Sequence, residues 1–411
     1  MTLPQPMAIH FSAEETPRFQ ASKVIIPQLR GAAVSFLLWQ SRSADSSPAL
    51  MFSDMLGGSV KSWTPGALNF ETVSNTPHPG GLELCDLDSD GLMDLVVSDL
   101  GSFQPEDNSK GQIVWLRRLD ENSFEEIVIA KGLGRVSESR AADFNGDGLL
   151  DLVVAEFGWL RTGHVLLYLQ ERGVDGARSF VKRIVDERHG AIRVPPVDLD
   201  GNGTMDFVAN ITQEHEVIEG FLNSGDAQFN SVALSNQRDP AYGSCGLLAV
   251  DLDQDGDMDF LDSNGDMFDS FAVKHYQGLR WLENLGALKF KEHDILMMPG
   301  IHGIATGDLD GDGDLDIVAS ALFPYRTFRE MESSRGDVIS AVWLEQTTSG
   351  VFVPHLVERG APWHACVVLG DIDNDKDLDI VLGDFTPIET ESRSPFVIYE
   401  NTLSSRENAN Q

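Results

Sequence analysis

The sequence predicts an all-β fold, a seven-bladed β-propeller, from three observations. An acidic loop of nine residues recurs six times, with its first Asp at positions 86, 143, 198, 251, 308 and 371. Short apolar segments rich in Val, Ile and Leu follow these loops, and the period of 53 to 63 residues suits one four-stranded blade. Seven Phe residues, one more than the loops, begin segments that alternate as outer strands do: Phe19, Phe70, Phe124, Phe180, Phe229, Phe290 and Phe352.

Each acidic loop has Asp or Asn at positions 1, 3, 5 and 9, and five of the six have Gly at position 6 for the tight turn. Oxygen ligands around one point favour Ca²⁺, and the loops lack the Glu at position 12 that an EF-hand needs. We therefore expect up to six structural Ca²⁺ ions between strands. The predicted ligands are Asp86, Asp88, Asp90 and Asp94; Asp143, Asn145, Asp147 and Asp151; Asp198, Asp200, Asn202 and Asp206; Asp251, Asp253, Asp255 and Asp259; Asp308, Asp310, Asp312 and Asp316; and Asp371, Asp373, Asp375 and Asp379.

Each repeat has the same order of predicted strands. An inner strand ends at the acidic loop, a second strand follows it, as at 152–155, and a third has an apolar run, as at 113–116. The fourth strand begins at the Phe. The first repeat, at about residues 29–80, has strand patterns at 34–39 and 50–53 but no acidic loop between them.

The two ends of the chain are expected to complete one blade. The last repeat has a third strand at 396–399 but no fourth, whereas residues 18–26 have a fourth-strand pattern with no repeat before them. The N-terminal strand would close the ring and remove two exposed sheet edges. The predicted boundaries are an N-terminal extension at 1–16, the propeller at 17–403 and a disordered tail at 404–411.

In these loops the chain resembles the FG-GAP or VCBS repeat propellers, which include the head of integrin α chains. The resemblance covers about residues 17–402 and implies the propeller fold and calcium in the loops. Lys376 replaces the turn Gly in the last loop, and the first blade lacks a loop. The adhesive members of the family imply a non-catalytic module that binds a protein or a glycan.

The composition limits the partners. The net charge is −35, with 65 acidic and 30 basic residues, which disfavours nucleic acid and anionic membranes as partners. No apolar run approaches the roughly 20 residues of a membrane span. Residues 1–10 lack the pattern of a signal peptide, whereas calcium modules that bind at ~10⁻⁴ to 10⁻³ M favour a secreted or periplasmic setting. Localisation and oligomeric state stay open.

Function is expected on the face opposite the acidic loops, here called the top face, because the connections there vary while the blades repeat. His189, His302 and His364 each precede an inner strand by a few residues, and the entries of inner strands converge on the propeller axis. Three His ligands and an open position are how catalytic Zn²⁺ is held. One hypothesis is therefore Zn²⁺ or another divalent metal at the centre of the top face, with Tyr276 and Arg193 completing the catalytic set. The alternative is that each His is a hydrogen-bonded loop or core residue.

Further top-face residues are predicted to bind a ligand. Arginines near the axis would attract an anionic or hydroxylated ligand such as a saccharide, or would form structural ion pairs with Glu83 and Glu138. Aromatic, acidic and amide side chains on the connections between second and third strands would line the pocket. The predicted ligand-binding residues are Arg135, Arg140, Glu156, Trp159, His215, Glu216, Asn264, Asp266 and His275.

Two functions stay open on the sequence. A metal-assisted sugar lyase or dehydratase would use a His or Tyr base, and a cation to hold the enolate oxygen. The propeller of aldos-2-ulose dehydratase, with its zinc-containing cleft, is a distant similarity in this direction. The other function is the non-catalytic binding module. No GxSxG, P-loop or CxxCH motif occurs, so hydrolase, nucleotide and haem chemistry have no support.

Overall fold

The computed structural model is a ring of seven β-sheets, which confirms the predicted propeller. The described residues are 19–30, 33–40, 48–120, 123–237, 239–331, 335–386 and 392–402. The predicted extension at 1–16 and the predicted tail at 404–411 lie outside them. Within each blade, neighbouring strands are antiparallel.

The strands of each blade follow one another from an inner strand near the axis to an outer strand. Blade 1 has Val34–Gln40, Ala49–Asp54, Ser59–Trp63 and Glu71–Ser74; blade 2 has Pro79–Cys85, Asp94–Asp99, Gly111–Arg118 and Phe124–Leu133; blade 3 has Val136–Ala142, Asp151–Glu156, His164–Arg172 and Arg178–Asp186. Blade 4 has Ala191–Arg193 with Pro196–Val197, then Asp206–Ile211, Val217–Asn223 and Phe229–Asn236; blade 5 has Gly246–Val250, Asp259–Ser263, Gly278–Asn284 and Phe290–Met297. Blade 6 has Ile301–Gly307, Asp316–Ala321, Ile339–Thr348 and Val351–Arg359; blade 7 has His364–Gly370, Asp379–Asp384, Phe396–Asn401 and Phe19–Ala21.

The N-terminal strand is the outer strand of blade 7, as the sequence predicted. Phe19 is paired with Asn401 and Ala21 with Tyr399, and the Ser22 N–H donates to the Ile398 carbonyl at 2.9 Å. The Phe19 ring is buried against Trp343 of blade 6, with ring centroids 5.6 Å apart. The first strand therefore closes the ring by backbone hydrogen bonds and by packing.

Buried apolar side chains form a cluster at each of the seven interfaces between neighbouring blades. The second strands are buried along almost their whole length, because both faces of a blade pack on a neighbour. This burial explains the continuous apolar runs that follow the acidic loops. The outer strands contain many half-buried and exposed side chains, as in Phe290–Met297, because one edge of each blade faces solvent.

Aromatic rings fill the interface between blades 7 and 1, where the two ends of the repeat array meet. Phe52 and Phe70 of blade 1 pack edge to face at 5.1 Å, and Phe396 of blade 7 lies 5.6 Å from Phe52 and 5.4 Å from Trp63. Burying each such ring stabilises the fold by about 1.5–3 kcal/mol. Blade 1 thus joins the ring through its core even though it has no acidic loop.

Three local features differ from the simple repeat. The inner strand of blade 4 is split into Ala191–Arg193 and Pro196–Val197, because Pro195 and Pro196 have no N–H to donate to the second strand. In blade 6 the connection between the second and third strands contains a helix, Tyr325–Glu330, and a 3₁₀ turn, Arg335–Asp337. A two-residue pair, Leu29–Arg30 with Ser392–Arg393, lies outside the blades.

Candidate metal loops and top-face residues

The acidic loops bring their carboxylates together. In the loops that begin at Asp86, Asp251 and Asp308, the carboxylates at positions 1, 3 and 5 offer oxygen atoms within 4.8 Å of one another. In the loop that begins at Asp198, where position 5 is Asn202, positions 1, 3 and 9 do so. Such closely spaced oxygen ligands fit a hard cation, and Ca²⁺ in these loops stays our prediction.

The first Asp of each loop also holds the turn. In all six loops its carboxylate accepts the backbone N–H of position 6 at 2.9–3.1 Å. Position 6 has positive φ in each loop, as in Gly91 at 90° and Gly313 at 99°. Lys376 adopts the same conformation, with φ of 82°, although it has a side chain. The last loop therefore forms at the cost of a strained residue.

Replacing Lys376 by Gly is expected to stabilise the protein. A left-handed conformation costs a residue with a side chain roughly 1–2 kcal/mol, and Gly removes this cost. Gly also gives the unfolded chain more conformational freedom, which offsets ~0.4–1 kcal/mol of the gain in stability. The net gain should be about 0.5–1 kcal/mol, measured by urea unfolding at fixed Ca²⁺. The reverse change in blade 6, Gly313→Lys, is the matched control and should destabilise. A loss of stability in Lys376→Gly would show that the turn is not strained.

The Asp at position 9 has a structural role that the sequence did not reveal. Asp316 is buried, and its two carboxylate oxygens accept backbone N–H groups from Leu309 at 3.1 Å and from Gln346 at 2.8 Å. Every loop repeats this pair of bonds, one from position 2 of the loop and one from the end of the third strand. The residues that accept them are Asp94, Asp151, Asp206, Asp259, Asp316 and Asp379.

Carboxamides at the ends of third strands link neighbouring loops. Gln170 Nε2 donates to the Leu150 carbonyl of its own blade at 2.8 Å and to the Leu87 carbonyl of blade 2 at 3.0 Å. Asn223, Gln346 and Asn401 bridge to the preceding blade in the same way. In blade 2, whose preceding blade lacks an acidic loop, Arg118 takes this place and reaches Gln40. The sequence signal is a polar residue at or near the end of the third strand in blades 2 to 7.

The arginines of the inner strands form the ion pairs that one reading of the sequence predicted. Arg140 contacts Glu83 at 2.7 Å and Glu138 at 3.0 Å, and Arg193 contacts Glu138 at 3.3 Å. Glu138 also accepts the Val194 N–H at 2.7 Å. These charges balance one another. Arg135 lies apart from them, half-buried, with its guanidinium 5.5 Å from the Phe157 ring.

Several predicted ligand-binding side chains hold the backbone of the top face. Glu156 accepts the Gly134 N–H at 2.6 Å and contacts His164, and Glu216 accepts N–H groups at 3.1 and 3.2 Å from residues 243–244. Burial raises the pKa of Glu216 to about 7, although these hydrogen bonds oppose the shift. Asn264 and Asp266 likewise accept backbone N–H groups. Such side chains shape the loops.

The three histidines predicted to share a metal have different partners. His189 Nε2 lies 2.9 Å from Glu214, and the His189 ring packs edge to face on His215 at 5.4 Å. His302 Nδ1 contacts the Gly300 carbonyl at 3.0 Å. His364 lies between two carboxylates, 2.6 Å from Glu358 and 2.9 Å from Asp384. These contacts differ from the predicted site, because both nitrogens of His364 already face carboxylates.

The stability contributed by His364 is expected to depend on pH. Burial alone would lower its pKa, but Asp384 and Glu358 outweigh burial and raise the pKa from 6.5 to about 9. The contribution is therefore fully present below pH 6.5 and is lost as the pH rises through about 9. The free energy of unfolding, measured in urea at fixed Ca²⁺ over this range, should decline as the pH rises. His364→Gln should remove this decline, and the control at an exposed residue, His275→Gln, should retain it. Parallel curves for wild type and His364→Gln would refute the assignment.

The other predicted aromatic residues lie on connections of blades 3 and 5. The Tyr276 ring stacks on Tyr242 at 5.7 Å, and its hydroxyl donates to the Ala241 carbonyl at 3.0 Å. Lys274 lies over the Tyr276 ring at 5.9 Å, and exposed His275 packs on its edge. Trp159 is half-buried on the loop next to His189. The stacking faces of Tyr276 are thus covered by its neighbours.

Exposed aromatic rings occur together on the top face. Among the Phe, Tyr and Trp residues in the described ranges, the exposed ones are Phe268, Phe271 and Tyr325, at 40%, 43% and 50%. Phe268 and Phe271 lie on the connection between second and third strands of blade 5, and Tyr325 lies on the same connection of blade 6. The sequence did not mark the two Phe residues as surface residues, because apolar residues on a loop resemble core residues in a sequence.

A family model of the FG-GAP-like repeat matches three overlapping segments of the chain, residues 86–154, 143–209 and 198–261. Each segment begins at the first Asp of one acidic loop. No curated protein sequence matches the chain. Within the described residues, no helix has the length and apolar character that a membrane crossing requires.

Solved propeller structures are similar to the chain in fold. BBS1N in complex with ARL6DN is similar with TM-scores of 0.54 and 0.53, in crystals soaked with mercury and with lead. Both have 11% sequence identity, and the alignments cover 94% of this chain and 97% of that chain. The V. cholerae biofilm matrix protein Bap1 has a TM-score of 0.47 at 10% identity, with 94% of this chain and 91% of that chain covered.

Proposed function

From the premise that this chain is an FG-GAP repeat propeller, we propose that it is a calcium-stabilised, non-catalytic module that binds a protein partner through its top face. The observation that carries this proposal is the grouping of Phe268, Phe271 and Tyr325, the exposed aromatic residues of the described chain, on adjacent loops of blades 5 and 6. We call these three residues the aromatic surface. Exposed rings concentrated in one place are typical of protein interfaces.

Contacts between the two loops hold the aromatic surface together. Thr327 Oγ1 donates to the Phe271 carbonyl at 3.0 Å, and the Arg326 guanidinium lies over the Phe271 ring at 5.5 Å. Arg329 lies over Tyr325 at 5.7 Å. Aromatic and Arg residues are those that contribute most to protein binding. Arg326 also contacts Glu330 at 3.1 Å, so the surface presents both charges beside its apolar rings, which suits a partner with polar groups around apolar side chains.

The ion pairs of Arg140 and Arg193 favour binding over lyase chemistry at the axis. A lyase needs a cation to hold the enolate oxygen. Arg140 and Arg193 contact Glu138 instead. A saccharide would stack on an open ring, whereas Tyr276 is covered by Tyr242 and Lys274. BBS1N, which shares this fold, occurs in complex with ARL6DN, so a propeller of this kind can bind a protein.

The proposal is tested by placing a photo-crosslinking amino acid at Phe271 and, as a control, at Val174 on the opposite face. Proteins crosslinked at 271 but not at 174 are then purified and titrated calorimetrically against the full chain. Replacing the aromatic surface by Ser should weaken binding by about 100-fold or more, because single interface aromatic residues can contribute ~2 kcal/mol or more.

The matched control changes three other exposed apolar residues, Leu68, Val174 and Val351, to Ser and should leave the affinity unchanged. Equal losses in both triple variants would contradict the proposal. A panel of purified oligosaccharides is titrated in parallel. If no protein binds, and the wild type binds a saccharide that the aromatic-surface variant does not bind, the partner is a saccharide rather than a protein.

A further inference from the structure

Three metal-ligating side chains meet at the rim of the top face between blades 3 and 4. His189 lies on the connection from the outer strand of blade 3 to blade 4, and Glu214 and His215 lie on the turn between the second and third strands of blade 4. One ligand atom from each lies within 4.8 Å of the other two. The sequence placed His189 at the axis and His215 in a general pocket, and it did not single out Glu214.

The donor set differs from that of the acidic loops. Two imidazole nitrogens and one carboxylate oxygen suit a borderline transition metal such as Zn²⁺, whereas Ca²⁺ takes oxygen ligands. Ligands on a tetrahedral ion with bonds of about 2.0–2.1 Å lie roughly 3.3 Å apart. His189 Nε2 and Glu214 Oε2 are already 2.9 Å apart, and His215 offers a ligand nitrogen within 4.8 Å of a ligand atom of each. We propose that His189, Glu214 and His215 bind a divalent transition metal ion, with Zn²⁺ as the expected occupant.

The backbone holds these ligands in place. Gln213 and Glu216, on either side of Glu214 and His215, have positive φ of 58° and 43°. Such conformations cost roughly 1–3 kcal/mol each and persist only where the surroundings impose them, often at functional sites. Thr212 Oγ1 donates to the carbonyl of residue 190 at 3.0 Å, which ties the turn to the residue after His189. The two ligand-bearing segments are therefore fixed relative to each other.

The site is open on one side. The His189 side chain is 16% exposed and the Glu214 side chain 56% exposed. The loop that contains Trp159 forms the other side, since Gly163 packs close to the His189 Cβ and Asp107 anchors the loop through the N–H groups of residues 160–162. A metal ion with three protein ligands here would keep a coordination position that faces solvent.

The experiment uses the full chain in excess Ca²⁺, so that the acidic loops are saturated. Zn²⁺ is titrated calorimetrically, and Co²⁺ is added as a spectroscopic substitute whose visible absorption reports nitrogen ligands. We expect one tight Zn²⁺ per chain. His189→Ala, His215→Ala and Glu214→Gln should each weaken it by at least about 100-fold, since even residues that only orient a ligand cost 10–100-fold. His293→Ala, a half-buried His on the outer strand of blade 5, is the control and should bind like wild type.

Melting temperatures in Ca²⁺ show whether each variant folds. If His189→Ala does not fold, Glu214→Gln still tests the site, because the Glu214 side chain is mostly exposed and its replacement should not prevent folding. Equal Zn²⁺ affinity in wild type and in the ligand variants, or no Zn²⁺ binding in excess Ca²⁺, would overturn the proposal. The Ser variant of the aromatic surface should bind Zn²⁺ normally, so failure of this site and failure of the proposed function are distinguishable.

Discussion

Deleting residues 1–27 is expected to unfold the propeller or to make it aggregate. The deletion removes the outer strand of blade 7, Phe19–Ala21, and exposes the edge of Phe396–Asn401. It also removes the buried Phe19 ring, and loss of such a ring costs about 3–5 kcal/mol. That cost is a large part of the roughly 5–15 kcal/mol that stabilises a typical domain. An exposed strand edge then promotes pairing between chains.

Light scattering and thermal unfolding at fixed Ca²⁺ measure this effect. Deleting residues 1–14 keeps Phe19 and should leave the melting temperature nearly unchanged, and Phe19→Ala should reproduce part of the loss without shortening the chain. A stable, monomeric product from the longer deletion would show that the ring closes without its N-terminal strand.

Replacing Asp316 by Ala is expected to destabilise the protein with or without Ca²⁺. The change leaves the buried N–H groups of Leu309 and Gln346 without their acceptor. Each unsatisfied group costs about 1–3 kcal/mol, so the total loss should be about 2–6 kcal/mol.

Calcium removal itself should also lower the melting temperature, because a site at tenfold excess over its Kd contributes about 1.4 kcal/mol.

Two neighbouring variants separate the metal from the hydrogen bonds. Asp312→Ala should destabilise in Ca²⁺ but have little effect in chelator, because the exposed Asp312 is a predicted ligand. Asp314→Ala should have little effect in either buffer, since position 7 supplies only its backbone carbonyl. Urea unfolding of the three variants in Ca²⁺ and in EDTA tests this. Equal effects of the Asp312 and Asp314 changes would contradict the assignment of Asp312 as a ligand. If Asp316→Ala lost stability only in Ca²⁺, Asp316 would act purely as a ligand.

The arrangement of strands could be predicted because its signals are local. Alternating residues mark the outer strands, and apolar runs after the acidic loops mark strands buried on both faces. The place of Phe19–Ala21 followed from counting strands, since a closed ring leaves no strand without a partner. The break in the inner strand at Pro195 could also have been predicted, because Pro lacks the N–H that the hydrogen bonds between neighbouring strands require.

The contacts of the loops and of the top face could not be predicted in the same way. Gln170 bonds to Leu87 in the preceding blade, and nothing near either residue in the chain indicates the other. His189, His302 and His364 all begin or precede inner strands. That pattern gives the position of each His relative to its own strand, but not its distance from residues of other blades. The predicted three-His site therefore combined residues whose side chains have different partners.

The sequence alone determined the repeat, the seven blades, the closing strand and the six acidic loops, because spacing, alternation and turn residues act over a few neighbouring positions. Only the tertiary structure decided how the top-face charges pair. Arg140 of blade 3 meets Glu83 of blade 2, Arg193 of blade 4 meets Glu138 of blade 3, and His189 meets Glu214 and His215, since the ring brings together strands and connections that belong to different blades. Pairing of charges depends on distances of a few ångström, which only the packed ring defines.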